Sequence, residues 1–174
     1  MLVTPHRFGD SRGFLSEVFH AGRLAAVGIT GPFIQDNHSF SAMAGTVRGL
    51  HLQIAPSAQG KLVRVTRGAI WDVAVDVRHG SLTYGRYVSA KLSVANWQQL
   101  WVPTGFLHGF CTLEPDTEVL YKVTAEYDPD AERGVAWDDP FLAIPWPVDP
   151  AHAALSDKDR ALPCLADCPI WFRL

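Results

Sequence analysis

Residues 61–78 read KLVRVTRGAIWDVAVDVR, and two patterns meet in them. In Leu62-Val63-Arg64-Val65 apolar and other residues alternate at period two, as in a strand with unlike faces. AIWDVAVDV is almost wholly apolar, which predicts a strand buried on both faces. Arg67-Gly68 between them is a turn signal. Working outward, the same reading predicts strands in YGRYVSAKLS (84–93), QQLWVPT (98–104), HGFCTLE (108–114) and TEVLYKVTAEY (117–127). Turn residues punctuate them at Arg78-His79-Gly80-Ser81, Pro103-Thr104-Gly105 and Glu114-Pro115-Asp116, a spacing that suits a closed or sandwiched barrel. The expected class is all-β. One short helix is expected over residues 15–26, with Ser16 as cap and Gly28 as stop. After Tyr127 the proline-rich, acidic run DPDAERGVAWDDPFLAIPWPVDP (128–150) predicts a covering segment.

A chain of 174 residues with 48% hydrophobic content fits a single domain, residues 1–174, with one core. Its 12 prolines, 14 glycines and 6 tryptophans favour short strands and turns. A net charge of −3 supplies no basic field for a nucleic-acid polymer, although a small anionic ligand needs only a few local cations. No apolar run has the length of a membrane span and the N-terminus does not read as a secretory signal, so the cytoplasm is the expected compartment. Cys111, Cys164 and Cys168 form no C-x-x-C pair and suit neither a disulfide framework nor a zinc knuckle. Cys111, within the apolar HGFCTL, is expected in the core.

Two motifs carry chemistry: Val47-Arg48-Gly49-Leu50-His51-Leu52-Gln53 followed by Lys61, and Val102-Pro103-Thr104-Gly105-Phe106-Leu107-His108-Gly109-Phe110. They resemble the two cupin motifs, in which histidines and an acid bind a metal inside a jelly-roll barrel. Here Gln53 holds the second ligand position, no acid lies between His51 and Lys61, and the lysine would bring positive charge into the same cavity. A divalent cation would be left with two imidazoles and an amide, so no metal is expected.

The resemblance then becomes specific. GDSRGFLSEVF (9–19), RGLHLQ (48–53), QGKLVRVTRGAIWDVAVDVRHGS (59–81), LHGF (107–110), LYKVTAEYDPDAERGVAWDDP (120–140) and LSDKD (155–159) are similar to the dTDP-4-dehydrorhamnose 3,5-epimerase family of deoxysugar biosynthesis. The resemblance implies a cupin-like jelly roll with short peripheral helices, no cofactor, a dTDP-sugar substrate and a homodimer. It also implies roles: His51 as general base oriented by Asp159, Tyr121 as general acid on the opposite face of the sugar, and Lys61 beside the enolate oxygen. Arg12, Arg48 and Lys158 would meet the diphosphate or sugar. Glu17, Gln35, Asp36, Asn37, His108 and Glu132 would fall among the substrate contacts, with Tyr127 stacked on the thymine. Where the family commonly has a second aromatic after D-x-R-G-F, this chain has Leu15 and Ser16.

Epimerisation beside a ketone asks for such a set. The carbon-bound hydrogen becomes acidic only if the enolate oxygen is stabilised, which a fixed ammonium does without reorganising. Inversion needs a base on one face and a proton donor on the other, and a carboxylate on the far imidazole nitrogen fixes the tautomer. Singly, these residues have plainer readings: His51 a hydrogen-bonded core histidine, Lys61 a snorkelling lysine, Tyr121 a core tyrosine, Asp159 a solvated acid. Their joint pattern favours chemistry. Competing functions are an epimerase acting at carbon 3 or carbon 5 alone, a metal-dependent cupin enzyme using His51 and His108, and a sugar-nucleotide binding module without catalysis.

Overall fold

A computed structural model describes residues 1–174. Its elements in chain order are β1 (Leu2–Val3), β2 (Arg7–Asp10), β3 (Gly13–Ser16), α1 (Ala21–Ala26), β4 (Gln35–Ser41), β5 (Val47–Gln53), β6 (Lys61–Arg67), β7 (Ala69–Asp76), β8 (Arg78–His79), β9 (Tyr87–Ser93), β10 (Gln99–Val102), β11 (Phe106–Thr112), β12 (Thr117–Val123), β13 (Glu132–Gly134), α2 (Asp157–Arg160) and β14 (Phe172–Arg173). Two five-stranded antiparallel sheets dominate, ordered β1-β10-β6-β12-β4 and β13-β5-β11-β7-β9. They face each other as the walls of a jelly roll, so the all-β expectation stands.

Val63 and Val65 of β6 pack inward with Ile70, Ala74, Leu92, Leu100, Phe110 and Val119. Lys61 shares their side of β6 by alternation. Beyond this apolar plug the barrel holds polar groups. Strand β7 is buried on both faces, as its composition predicts: Ile70 and Ala74 point into the barrel while Val73 and Val75 point out. The outward residues, with Leu50, Leu52 and Leu107, lie beneath Val135, Leu142, Ile144 and Leu165 of the C-terminal segment. Burying each such aliphatic side chain contributes about 1.5–3 kcal/mol, so the segment beyond Tyr127 forms a second half of the core. Cys111 is fully buried against Val47 and Trp137.

The helix expected over residues 15–26 is shorter than the sequence suggested. It spans Ala21–Ala26, and its cap is His20, whose Nδ1 accepts from the Arg23 amide at 3.2 Å. Leu15 and Ser16 belong to β3, paired with Phe8 and Arg7 of β2. Tertiary contacts outweigh local propensity here. The Arg7 guanidinium lies 4.1 Å from the Trp97 ring centroid and 5.0 Å from that of Phe14, and Ser16 Oγ accepts from Trp97 Nε1 at 3.0 Å instead of capping a helix.

The turn after β7 is organised by Asp76, which is buried and accepts from the Arg78 amide, Nε and Nη2, from Ser81 Oγ and from Thr83 Oγ1 at 2.6–3.0 Å. Burial alone would raise its pKa, but the bonds from Arg78, Ser81 and Thr83 outweigh this and hold the carboxyl far below its usual range. A depressed carboxyl contributes stability that is complete above its unfolded pKa, about 4, and lost as pH falls toward the folded value. Asp76→Asn should therefore cost about 2–3 kcal/mol at neutral pH. Urea unfolding at pH 7 and pH 3 should show the gap between the two proteins shrinking in acid, and a gap independent of pH would contradict this account.

Candidate active site

Strict alternation would send Arg48 and His51 of β5 to opposite faces, because they are an odd number of residues apart. The ladder with β11 slips here: His51 pairs with His108 and Arg48 with Phe110, so the step from Arg48 to His51 matches a shorter step on β11. Such a bulge re-aims side chains, and both residues line one cavity in the barrel. Gly49 permits it. Its φ is +110°, and a Cβ there would stand 2.6 Å from the His108 carbonyl oxygen.

Ser39, Lys61, His108, Phe110, Tyr121, Ser156, Lys158 and Asp159 complete the lining. His51 Nε2 lies 2.6 Å from Asp159 Oδ1. Asp159 is delivered by α2, whose cap Ser156 accepts from the Asp159 amide through Oγ at 3.1 Å. Burial would raise the Asp159 pKa, but the His51 contact, the charge of His51 and the Ser156 and Gly49 bonds hold it below the usual carboxylate range. An ionised carboxylate on Nε2 leaves Nδ1 as the nitrogen able to take a proton.

Tyr121 comes from β12, in the sheet opposite β5. Burial raises its hydroxyl pKa; Arg48 pulls it down and Glu132 pushes it further up. The group keeps its proton at neutral pH. Lys61 Nζ donates to the His51 carbonyl at 3.4 Å. Burial lowers its pKa to about 8, with Glu132 and Asp72 pulling the other way. At the mouth, Arg48 donates to the Phe40 carbonyl at 3.0 Å and to Ser41 Oγ at 3.3 Å. Lys158 pairs with Glu132, which also accepts from Tyr127 Oη at 2.7 Å. A surface groove lined by Tyr127, Glu132, Arg133, Lys158 and Trp171 continues from this rim.

Gln35 and Asn37 lie on the inward side of β4. Gln35 Nε2 donates to Asn37 Oδ1, and Gln35 Oε1 accepts from the Tyr127 amide, both at 2.9 Å. Three residues expected at the substrate lie outside the cavity of this chain. Asp36 alternates to the outer face of β4 and pairs with Lys122 at 2.8 Å. Arg12 is exposed on the β2–β3 turn beside Asp10, and Glu17 pairs with Arg23 at 2.9 Å. The sequence reading missed Asp72, whose Oδ1 lies 2.6 Å from Nε2 of the buried His108. Its signal was an acid on the inward period of a mostly apolar strand.

No group of three His, Cys, Asp or Glu side chains is placed to hold a metal ion. Gln53, in the motif's second ligand position, is occupied: Nε2 donates to the Ser57 and Glu126 carbonyls at 2.7 and 3.0 Å, and Oε1 accepts from the Asp128 amide. No helix is long and apolar enough to cross a membrane.

Fold and site together define a cupin-like jelly roll with an imidazole–carboxylate pair and a protonated tyrosine on opposed walls and an ammonium in the same cavity. The sequence profile described as dTDP-4-dehydrorhamnose 3,5-epimerase matches residues 1–167. The epimerase of that name from Sinorhizobium fredii is 54% identical over 99% of this chain and 88% of its own. A crystal structure of the Bacillus anthracis enzyme of that name, with TDP and pyrophosphate bound, has 52% identity and a TM-score of 0.91 over 94% of this chain and 93% of that one. A 3'-monoepimerase from Streptomyces bikiniensis in complex with dTDP-quinovose has 34% identity and a TM-score of 0.87 over 95% and 83%. This chain belongs to the dTDP-4-dehydrorhamnose 3,5-epimerase family.

The bulge makes a local prediction. Gly49→Ala should cost about 2–4 kcal/mol, because the new methyl group must displace backbone at a φ that suits glycine. Thermal unfolding reads this directly, and an unchanged midpoint would mean that β5 tolerates a side chain there.

Proposed function

We propose that this protein is an isomerase that epimerises a dTDP-linked 4-keto-6-deoxyhexose at carbons 3 and 5 through an enolate, a step of dTDP-rhamnose biosynthesis, in the cytoplasm and with residues 1–174 acting as one domain. The observation that carries the reading is the pairing of His51 with Asp159 on one wall of a cavity whose opposite wall presents Tyr121. His51 Nδ1 removes the hydrogen beside the ketone, and the resulting imidazolium is stabilised by Asp159. The electron pair moves to the ketone oxygen, where the Lys61 ammonium meets it. Tyr121 returns a proton to the other face as the carbonyl re-forms; solvent then reprotonates Tyr121 and takes the proton from His51. Arg48 and Lys158, at the cavity mouth, take the diphosphate, and His108 and Glu132 contact the substrate. Tyr127, exposed in the adjoining groove with Gln35 and Asn37 beside it, stacks on the thymine. Action at both carbons is favoured by the relatives: those named 3,5-epimerases reach 54% and 52% identity, against 34% for the 3'-monoepimerase.

In deuterated water the protein should incorporate deuterium at both carbons flanking the ketone of the dTDP-4-keto-6-deoxy sugar. Label at one carbon alone identifies a single-site epimerase, and no label rejects the reading. His51→Ala and Tyr121→Phe should each lower kcat by on the order of 10²-fold or more. An unchanged rate removes that residue from the mechanism.

The proposed assembly is a homodimer in which Arg12 and Glu17 complete the partner's substrate site. Both lie outside the cavity of their own protomer, on or beside a hairpin whose Phe8, Phe14 and Leu15 are 61%, 53% and 75% exposed. Such an apolar cluster suits contact with another chain. Mixing Arg12→Ala protein with His51→Ala protein should restore activity through hybrid sites that carry neither lesion. Absence of restoration, with both variants shown by light scattering to exchange subunits, argues that Arg12 serves its own protomer.

A further inference from the structure

The scheme above leaves out the most deeply buried acid in the barrel. Asp72 on β7 is 0% exposed. Its Oδ1 lies 2.6 Å from His108 Nε2, while Oδ2 is buried with no hydrogen-bond partner. A carboxylate so enclosed and accepting from a single imidazole is undercompensated, and a nearby cation is the usual remedy. Lys61 provides one. It lines the same cavity as His108, and Asp72 acts on its ammonium electrostatically, against the burial that lowers its pKa to about 8.

We infer that Asp72 is a positioning residue with two tasks: it fixes His108 with the proton on Nε2, and it supplies the negative charge that keeps Lys61 an ammonium inside the barrel. The first leaves His108 Nδ1 as the ring's acceptor toward bound substrate. The second preserves the group that meets the enolate oxygen, so the catalytic consequence rests on the epimerase reading, whereas the electrostatic pairing does not.

Other titratable groups line the cavity with Lys61 or act on its charge. They are His51 and Arg48 on β5, His108 on β11, Tyr121 on β12, Glu132 on β13, and Lys158 and Asp159 on α2. Glu132 acts most strongly of the acids, yet its carboxylate is shared with Lys158 and Tyr127. Asp159 is held by His51. Asp72 keeps its second oxygen buried and without a hydrogen-bond partner.

Asp72→Asn keeps the shape and removes the charge. Losing a negative neighbour lowers the pKa of a cation, so Lys61 should titrate at lower pH in the variant. Observing its ¹⁵Nζ resonance, assigned with Lys61→Met, tests this without substrate; an unmoved titration overturns the inference. In the rate assay, the alkaline limb of kcat/KM, near pH 8 in the parent, should move the same way. A fall of one unit would reduce kcat/KM at pH 8 about fivefold. Asp72→Glu should restore part of the limb, which a purely structural role would not predict. If Asp72→Asn does not fold, ¹⁵N-histidine labelling of the unmodified protein still decides the first task, because a neutral His108 protonated at Nδ1 overturns it. Should Lys61 shift as expected while the protein exchanges no deuterium into the keto sugar, the functional reading fails and the pairing stands.

Discussion

The bulge between Arg48 and His51 is the constraint on which the site depends. It turns two side chains of one strand to the same side, and it requires Gly49, where the His108 carbonyl leaves no room for a Cβ. The backbone N–H of the same glycine helps to hold the Asp159 carboxyl below its usual range. His51, Asp159 and Arg48 therefore share one backbone irregularity. A bulge conserves the sheet on either side, so the rest of β5 still covers the core with Leu50 and Leu52.

That geometry would be unaffordable in a uniformly polar barrel. His51, Asp159, His108, Asp72 and Lys61 bring five ionisable groups into a confined space, and each isolated buried charge costs several kcal/mol. The structure offsets this by pairing the groups and by segregation. One end of the barrel is filled by Val63, Val65, Ile70, Leu92, Leu100 and Val119, while the outer face of the second sheet is sealed by the C-terminal segment. Strand β7 lies between both apolar layers, which is why it could spend single inward positions on Asp72 and Asp76 without losing its place.

Legibility in the sequence followed the same division. Strands β6 and β7 were readable because their apolar residues recur at a period that burial enforces. Strand β4 was not, since its inward residues Gln35, Asn37, Ser39 and Ser41 are all polar; alternation between a wet cavity and bulk water leaves no hydrophobic pattern. The helix over residues 15–26 was read too long because a local cap competed with a distant partner, Trp97. His51, Lys61, Tyr121 and Asp159 were picked out by family resemblance rather than by chemistry at any one position. Asp72 escaped because an acid within the mostly apolar AIWDVAVDV looks like an interruption of the strand, and its partner His108 is 36 residues away. Asp36 was placed among the substrate contacts by the family resemblance together with Gln35 and Asn37, although adjacent strand residues face opposite ways.

The proposed chemistry at two carbons needs only one set of groups, and the geometry gives the reason. Carbons 3 and 5 flank the same ketone, so an ammonium fixed beside the ketone oxygen serves the enolate formed toward either side. The proposed base and acid stand on opposed sheets, His51 on β5 and Tyr121 on β12, and neither would follow the reaction from one carbon to the next. In the proposed scheme the sugar turns instead, pivoting about the oxygen assigned to Lys61 while the diphosphate stays at the mouth with Arg48 and Lys158. Single-site and double-site members of such a family can then share every proton-transferring group. On that reading the difference between them lies in the cavity walls, to which Ser39 and Phe110 contribute here, and not in the acid or the base.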